Sequence, residues 1–305
     1  MTTQVLNPIA ITGAMVTASV VLEPDAARGE VAWNAADNTV IGWERIRTTT
    51  HRVYTAIAAG VDAGLPENTP GRWKDTRPTN KFAAFDFYRS TAIRYAGTLT
   101  QTVRPGIITD MDFSGLEGDA LHVVIKNATS GVPWHDQAAS LSTYLSGDLE
   151  WEFWFGTPMQ QDGLLIAGLV PDDAQVEITL TPSLITGFAG IGIWAMGTYN
   201  DIGDPQFGFK AKWVDYSYID IDANGDAVVV KGPNAKDLVG SCVMDAAQAN
   251  AVCDTVGKLM GVPCAWRVSP LIGYDYLRTF GLGSADITAE NEGEATASLT
   301  VRGFK

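Results

Sequence analysis

The chain has little cysteine, little histidine and a shortage of positive charge. Cys242, Cys253 and Cys264 are its three cysteines in 305 residues. Being odd in number and without C-x-x-C spacing, they argue against a disulfide framework, and a thiolate metal site would need a fourth ligand. Cys253 falls in a helical pattern and reads as a small buried hydrophobe. His51, His122 and His135 are the three histidines, and none stands at metal-ligand spacing from another. No H-E-x-x-H or G-x-S-x-G motif occurs. Lys and Arg number 21 against 35 Asp and Glu, a net charge of −14. A nucleic-acid binder needs a basic footprint, so the composition argues against nucleic acid, and equally against anionic membranes.

Long hydrophobic runs are missing too. The stretch "IAITGAMVTASVVL" (Ile9 to Leu22) comes nearest, but at 14 residues broken by Thr, Gly and Ser it is too short to cross a bilayer. No Lys or Arg precedes it, the first being Arg28, so it lacks the positive region of a secretory signal. The expectation is a soluble protein made in the cytoplasm, with no membrane insertion.

What is present is aromatic and apolar: nine Trp, eleven Phe and 46% hydrophobic residues, more than a disordered chain carries. The length allows two or three modest domains. Period-2 alternation dominates. Leu149, Trp151, Phe153 and Phe155 share one face of "LEWEFWFG", as do Val176, Ile178 and Leu180 of "VEITLT". Leu121, Val123 and Ile125 alternate in "ALHVVIKN", and Ala297, Leu299 and Val301 in "ASLTVRGF". Half-buried strands separated by Gly, Asp, Pro and Asn clusters predict antiparallel sheets, in a sandwich. The glycines of "GFAGIGIW" lack a phosphate-loop lysine and fit strand bends or close packing.

One helix is predicted. Asp245 and Gln248 make a capping-box-like start, and Ala249, Val252, Cys253, Val256, Leu259 and Met260 recur at helical spacing. Gly261 and Pro263 end it. Strands on either side make this a small α+β module. The fold class expected is mainly β. An N-terminal arm or strand (1–30) leads to a small aromatic-rich segment (31–80), an antiparallel β-sandwich (81–217) and the C-terminal α+β module (218–305).

Three patterns invite a chemical reading. "YIDIDANGDAVVVK" places Asp220, Asp222, Asn224, Gly225 and Asp226 in the order of a calcium loop, but position 12 is Lys231 where a bidentate Glu is required. Asn224-Gly225 between apolar strands is instead a hairpin signal. His122 sits within a strand as a structural residue, while His135-Asp136 forms a pair in a loop with no nucleophile nearby. Glu150/Glu152 and Asp172/Asp173 are paired acids, yet the first pair lies on the solvated face of a strand. With no positioned acid–base constellation, the chain is expected not to be an enzyme, and no cofactor or metal is expected. The fourth feature is aromatic. Trp33, Trp43, Tyr54 and Trp73 fall in a segment rich in Thr, Asn, Gly and Pro. They are either a small core or glycan-contact platforms stacking on sugar rings.

The stretch from Val31 to Asp86 resembles a module recurrent in tailed-bacteriophage tail proteins. The matching residues are Tyr54 and Ala56, Pro66 and Pro70, Trp73, Pro78-Thr79-Asn80 and Phe85-Asp86. The same layout is similar to small chitin- and cellulose-binding modules, with "VIGWERIR" standing where those carry a Gly-Asp-x-Val strand. Downstream, "GIGIWAMGTYNDIGDPQFG" and "VPCAWRV…YDYLRTFGLG…ATASLTVRGF" resemble the later strands of the same phage proteins. The resemblance implies a structural component of the virion tail, at the tail tip or baseplate, hub-associated or a fibre adaptor. It implies a homo-oligomer whose partners are other tail proteins, and it brings host surface glycan as the alternative ligand.

Overall fold

The computed structural model describes residues 2–61, 64–88, 90–143, 159–221, 227–232, 234–271 and 273–304. The strand expected from Leu149 to Phe155 and the Asn224-Gly225 turn lie outside them. The fold is mainly β with antiparallel sheets, and the chain divides into two compact units, Ile9–Trp194 and Met1–Pro8 with Ala195–Lys305.

The Ile9–Trp194 unit is a sandwich. Its five-stranded sheet runs in the order Pro133–Ser140, Ala120–Asn127, Ala174–Thr181, Leu99–Val103, Val16–Ser19. Register places Leu121 opposite Leu180, Val123 opposite Ile178 and Ile125 opposite Val176. All six are enclosed, as are Leu99 and Val103. Burial of side chains of this size contributes about 1.5–3 kcal/mol each, so the apolar parity of these strands dictates which face turns inward. Strands Ile108–Glu117 and Gly163–Val170 pair in the second layer. Gly168 faces the first sheet at ordinary contact distance, a Cβ there standing 3.6 Å from Ile125 Cδ1. Phe113 and Phe85 flank the enclosed Trp194, each with ring centroids 5.5 Å from it.

The other unit is a closed six-stranded antiparallel barrel. Its order is Ala189–Pro205 (from Ala195), Thr3–Pro8, Cys264–Arg267, Arg278–Ala289, Glu294–Gly303 and Asn234–Asp245. The ring closes where Asp204 meets Val243 and Pro205 meets Cys242. The N-terminal residues thus serve as an inner strand, bonded on one edge to residues 197–203 and on the other to Trp266 and Arg267. Val5, Ile202, Leu238, Trp266, Leu299 and Val301 fill the interior. Glycine is required where strands crowd: a Cβ at Gly283 would lie 2.1 Å from the Trp266 ring.

Helix Ala246–Leu259 begins at Asp245, whose carboxylate accepts the Ala247 N–H at 2.8 Å. Val252, Val256 and Leu259 join the barrel's apolar cluster. Two residues of the expected stripe do not. Cys253 and Met260 are exposed, because the contact with the barrel is narrower than the sequence stripe. His135-Asp136 also differs from expectation, lying in strand Pro133–Ser140 rather than a loop. There Asp136 meets His122 Nε2 at 2.6 Å across the ladder, which accounts for both side chains.

Beyond the barrel wall, one hairpin continues as a two-stranded ribbon. Lys210–Asp215 pairs with Asn234–Val239, and Tyr218–Ile221 pairs with Ala227–Val230. Asp215 faces Asn234 and Tyr218 faces Val230, so the register shifts between the two ladders. Asp215 Oδ1 accepts from Ser217 N at 2.8 Å and from its hydroxyl at 2.6 Å, while Ser217 Oγ accepts the Gly232 N–H at 2.9 Å. The Ser217 bonds hold the Asp215 carboxyl below the usual carboxylate range.

Candidate functional site

The four aromatics singled out in the sequence lie in or against a three-stranded antiparallel sheet, Glu44–Arg47, Arg52–Ala56 and Trp73–Pro78. Cross-strand pairs share a face, so Ala56 opposite Trp73, and Tyr54 beside it, face the same way. Tyr54, Ala56 and Trp73 form a small buried cluster, with Trp33 packed against it. Trp73 and Tyr54 therefore build the core of this sheet and present no ring face to solvent. Trp43 differs, being 41% exposed. Arg45 stacks over its ring with the guanidinium carbon 4.5 Å from the centroid, and Arg47 stacks over Trp33 at 5.1 Å. Carboxylates fix both arginines, Asp37 to Arg45 at 2.8 Å and Glu67 to Arg47 at 3.1 Å.

Around Trp43 the surface is apolar. Val40, Ile41, Ile57 and Val61 are all exposed. Backbone bonds gather them: Trp43 N donates to Val40 O, Gly42 N to Ala56 O, and Thr39 pairs with Gly60. Gly42 adopts φ 89°, the left-handed conformation that permits this turn. The result is an indole with a fixed cation on it and aliphatic neighbours, able to take the apolar face of a planar or ring-shaped ligand.

Next to this sheet sits a polar lock that sequence reasoning missed. Glu23 accepts from His51 Nδ1 at 2.9 Å and from Thr79 Oγ1 at 2.8 Å. The wholly buried Glu30 carboxylate accepts the backbone N–H groups of Asp25 and Asn80, at 2.8 and 2.6 Å. Asp25 accepts from Ala27 N and Asn80 Nδ2, and Asn80 also exchanges bonds with the Arg94 backbone. His51 stacks on Phe82, ring centroids 3.8 Å apart. Each of these three carboxylates already holds protein donors, so the cluster ties the Glu23–Glu30 loop to the sheet's end. The available sequence signal was Pro78-Thr79-Asn80, whose Thr and Asn are two of the donors. Nearby, burial raises the Asp86 carboxyl's pKa against the lowering pull of its bonds from Thr91 and Tyr88. For Glu117, burial pushes upward, but bonds from Thr186 and Arg94 outweigh it and the pKa falls below the usual range.

In the barrel unit, a groove of about 820 Å³ runs beside the helix, with Asp201, Asp204, Asp245 and Glu294 on its walls. Asp245 is committed to the helix start, and Asp201 accepts from Gln4 Nε2 at 2.5 Å. Cys242 and Cys264 are buried and hence poor thiolates. Burial pushes Cys242 up to about 11, despite its bond with Thr3, and Cys264 to about 12.

The ribbon is an exposed apolar feature of that unit. Tyr218, Ile219, Ile221, Val228 and Val229 are each more than half exposed. Ile219, Ile221, Ala227 and Val229 share one face by register, and Tyr218, Asp220, Val228 and Val230 share the other. Among the described residues of the unit, none covers either face. Trp213 and Tyr216, leading into the ribbon, are similarly exposed. Such a surface cannot be read from alternation alone, because a buried strand has the same residue types.

No protein-family model and no curated protein matches the chain. Among solved structures it is similar to the family 32 carbohydrate-binding module from C. perfringens NanJ, in complex with galactose. Identity is 13% and the TM-score 0.27, over 41% of this chain and 85% of that one. A likeness of that size carries no argument about fold or ligand.

Proposed function

We propose that this chain is a non-enzymatic structural component of a tailed-phage virion tail, at the tip or baseplate. In that role it is made in the bacterial host cytoplasm and contacts other tail proteins and copies of itself. The observation that carries the assembly role is the ribbon, a two-stranded element with apolar side chains exposed on both faces. A two-stranded sheet is marginal in water by itself, and apolar surface of this kind marks a contact site. Burying Ile219, Ile221 and Val229 against a neighbour is worth roughly 1–2 kcal/mol each at their present exposure. Placement in a tail rests on the order of motifs along the chain, from Tyr54 and Trp73 through Pro78-Thr79-Asn80 to the closing "ASLTVRGF". Mass spectrometry of purified phage particles, with immunogold labelling, tests the placement. Peptides of this chain at the tail are expected, and particles free of it overturn the reading.

A second reading, carbohydrate binding at the host surface, is favoured by one feature, the exposed Trp43 with its stacked Arg45 and aliphatic surround. Trp43→Ala is the informative variant, since Trp73 belongs to the core. Glycan binding by the wild-type chain that disappears in folded Trp43→Ala supports this reading, and an array without any bound glycan removes it.

A further inference from the structure

We propose that the Ile9–Trp194 unit holds a small oxyanion, a carboxylate or a single phosphate-type group, between Arg28 and Arg77. Both arginines line a cavity of about 230 Å³, together with Asn80, Ala83, Ser90 and Thr91. Among the described residues, no acid lines it. None of the lining residues belongs to the ribbon or to the surface around Trp43, so this site is independent of both readings above.

The bonding state of the lining selects the ligand. Among the described residues, the Arg28 guanidinium makes no hydrogen bond or ion pair, and its nearest recorded influence is a lowering of the Glu117 pKa. The Ser90 hydroxyl likewise donates to no described residue. Arg77 gives Nη2 to Glu44 at 2.8 Å, but its Nη1 stands 4.0 Å from Glu30, too far for a hydrogen bond. The Glu30 oxygens already accept the backbone N–H groups of Asp25 and Asn80. The cavity therefore offers donors in need of an acceptor, and guanidinium forks match the paired oxygens of a carboxylate or phosphate.

The surroundings are not basic. Asp25, Glu30, Glu44, Asp86 and Glu117 outnumber Arg28, Arg77 and Arg94, although each of those acids is bonded by protein donors. Directed N–H and O–H groups, rather than a positive field, must hold the anion, and the net charge of −14 disfavours a polyanion. The volume lies below the roughly 300–1,000 Å³ of drug-sized sites, so the occupant is small. The walls are fixed before any ligand arrives. Asp86 accepts from Thr91 Oγ1 and Tyr88 N, and Asp25 and the Arg94 backbone hold the Asn80 side chain. Phe87, three residues before Ser90, takes φ 63°, a strained conformation of the kind stored at ligand clamps.

Backbone-amide NMR on the full chain tests this, with chloride replaced by acetate, phosphate or sulfate at constant ionic strength. Amide shifts at Arg28, Ser90, Thr91 and Ala92 should reach a plateau with at least one of the three anions. Arg28→Gln should raise the half-saturation concentration at least about tenfold, and Ser90→Ala about threefold or more, as for charged and neutral hydrogen bonds. Arg104→Gln removes the same charge from an exposed position outside the cavity and should leave it unchanged. The dispersion of each variant's spectrum reports its folding. A plateau with acetate alone assigns a carboxylate, and one with phosphate and sulfate alone assigns a tetrahedral anion. Shifts that stay linear with every anion, or a half-saturation point that Arg28→Gln moves no more than Arg104→Gln does, overturn the proposal.

Discussion

Val5→Ala asks whether the N-terminal strand truly closes the barrel. Val5 is enclosed, pairs with Asn200 on one side and Trp266 on the other, and belongs to the barrel's apolar cluster. The substitution deletes two carbons, about 1.6 kcal/mol at about 0.8 kcal/mol per buried methylene. A residual cavity of roughly 40 Å³ adds about 1 kcal/mol at about 24 cal/mol per Å³. The expected loss is therefore about 2–3 kcal/mol. With a urea dependence near 2 kcal/mol/M, the midpoint of the barrel transition should fall by roughly 1–1.5 M. Urea titration followed by tryptophan fluorescence reads this, since Trp266 lies directly opposite the mutated residue. Val229→Ala is the internal control. It removes the same two carbons from an exposed position and should change a dilute sample by less than about 0.5 kcal/mol. If Val5→Ala costs no more than Val229→Ala, the N-terminal strand does not occupy the barrel wall and the six-stranded closure is wrong.

Other expectations follow from packing and charge. A thiol reagent at pH 8 should label Cys253 quickly and spare Cys242 and Cys264 until denaturant is added, which mass spectrometry of the labelled protein will show. Trp73→Ala should cost about 3–5 kcal/mol in chemical denaturation, as for other buried large aromatics, and Trp43→Ala should cost far less. Gly283→Ala should lower stability by about 1–3 kcal/mol, because the new Cβ must displace the enclosed Trp266 ring. The depressed Glu117 pKa gives a stabilising contribution that is present above about pH 4.5 and fades as pH falls through the lower folded value. Thermal melts of Glu117→Gln between pH 3 and pH 6 should accordingly show a shallower acid-side decline than the wild-type chain.

Much of the architecture was legible locally. The inward set Leu121, Val123, Ile125, Val176, Ile178 and Leu180 followed from alternation, because a strand's side-chain period is two and a wrong parity would expose every one of them. Asp245 marked the helix start because a carboxylate there can take an orphan backbone N–H. The two strands around residues 222–226 were recognisable from their apolar runs, and Lys231 at position 12 argued against a calcium loop. The extent of the helix's buried stripe was not legible: Cys253 fits the helical period yet faces solvent, since the width of a helix contact depends on what it packs against.

Other features depend on which distant segments meet. Gln4 bonds Asp201, 197 positions away, and nothing in the alternation of Thr3–Pro8 names that partner. Trp33, Trp43, Tyr54 and Trp73 look alike as a set of aromatics. The register of three short strands alone enclosed Tyr54 and Trp73 and left Trp43 outside. Likewise Thr79 and Asn80 became the donors to Glu23, Asp25 and Glu30 only when the chain brought those loops together. The sequence by itself determined strands, parity and caps, whose energies are decided within a few residues. The tertiary structure decided barrel closure, the aromatic core and the uncovered ribbon, because strand pairing and burial are set by surfaces that meet only in the folded chain.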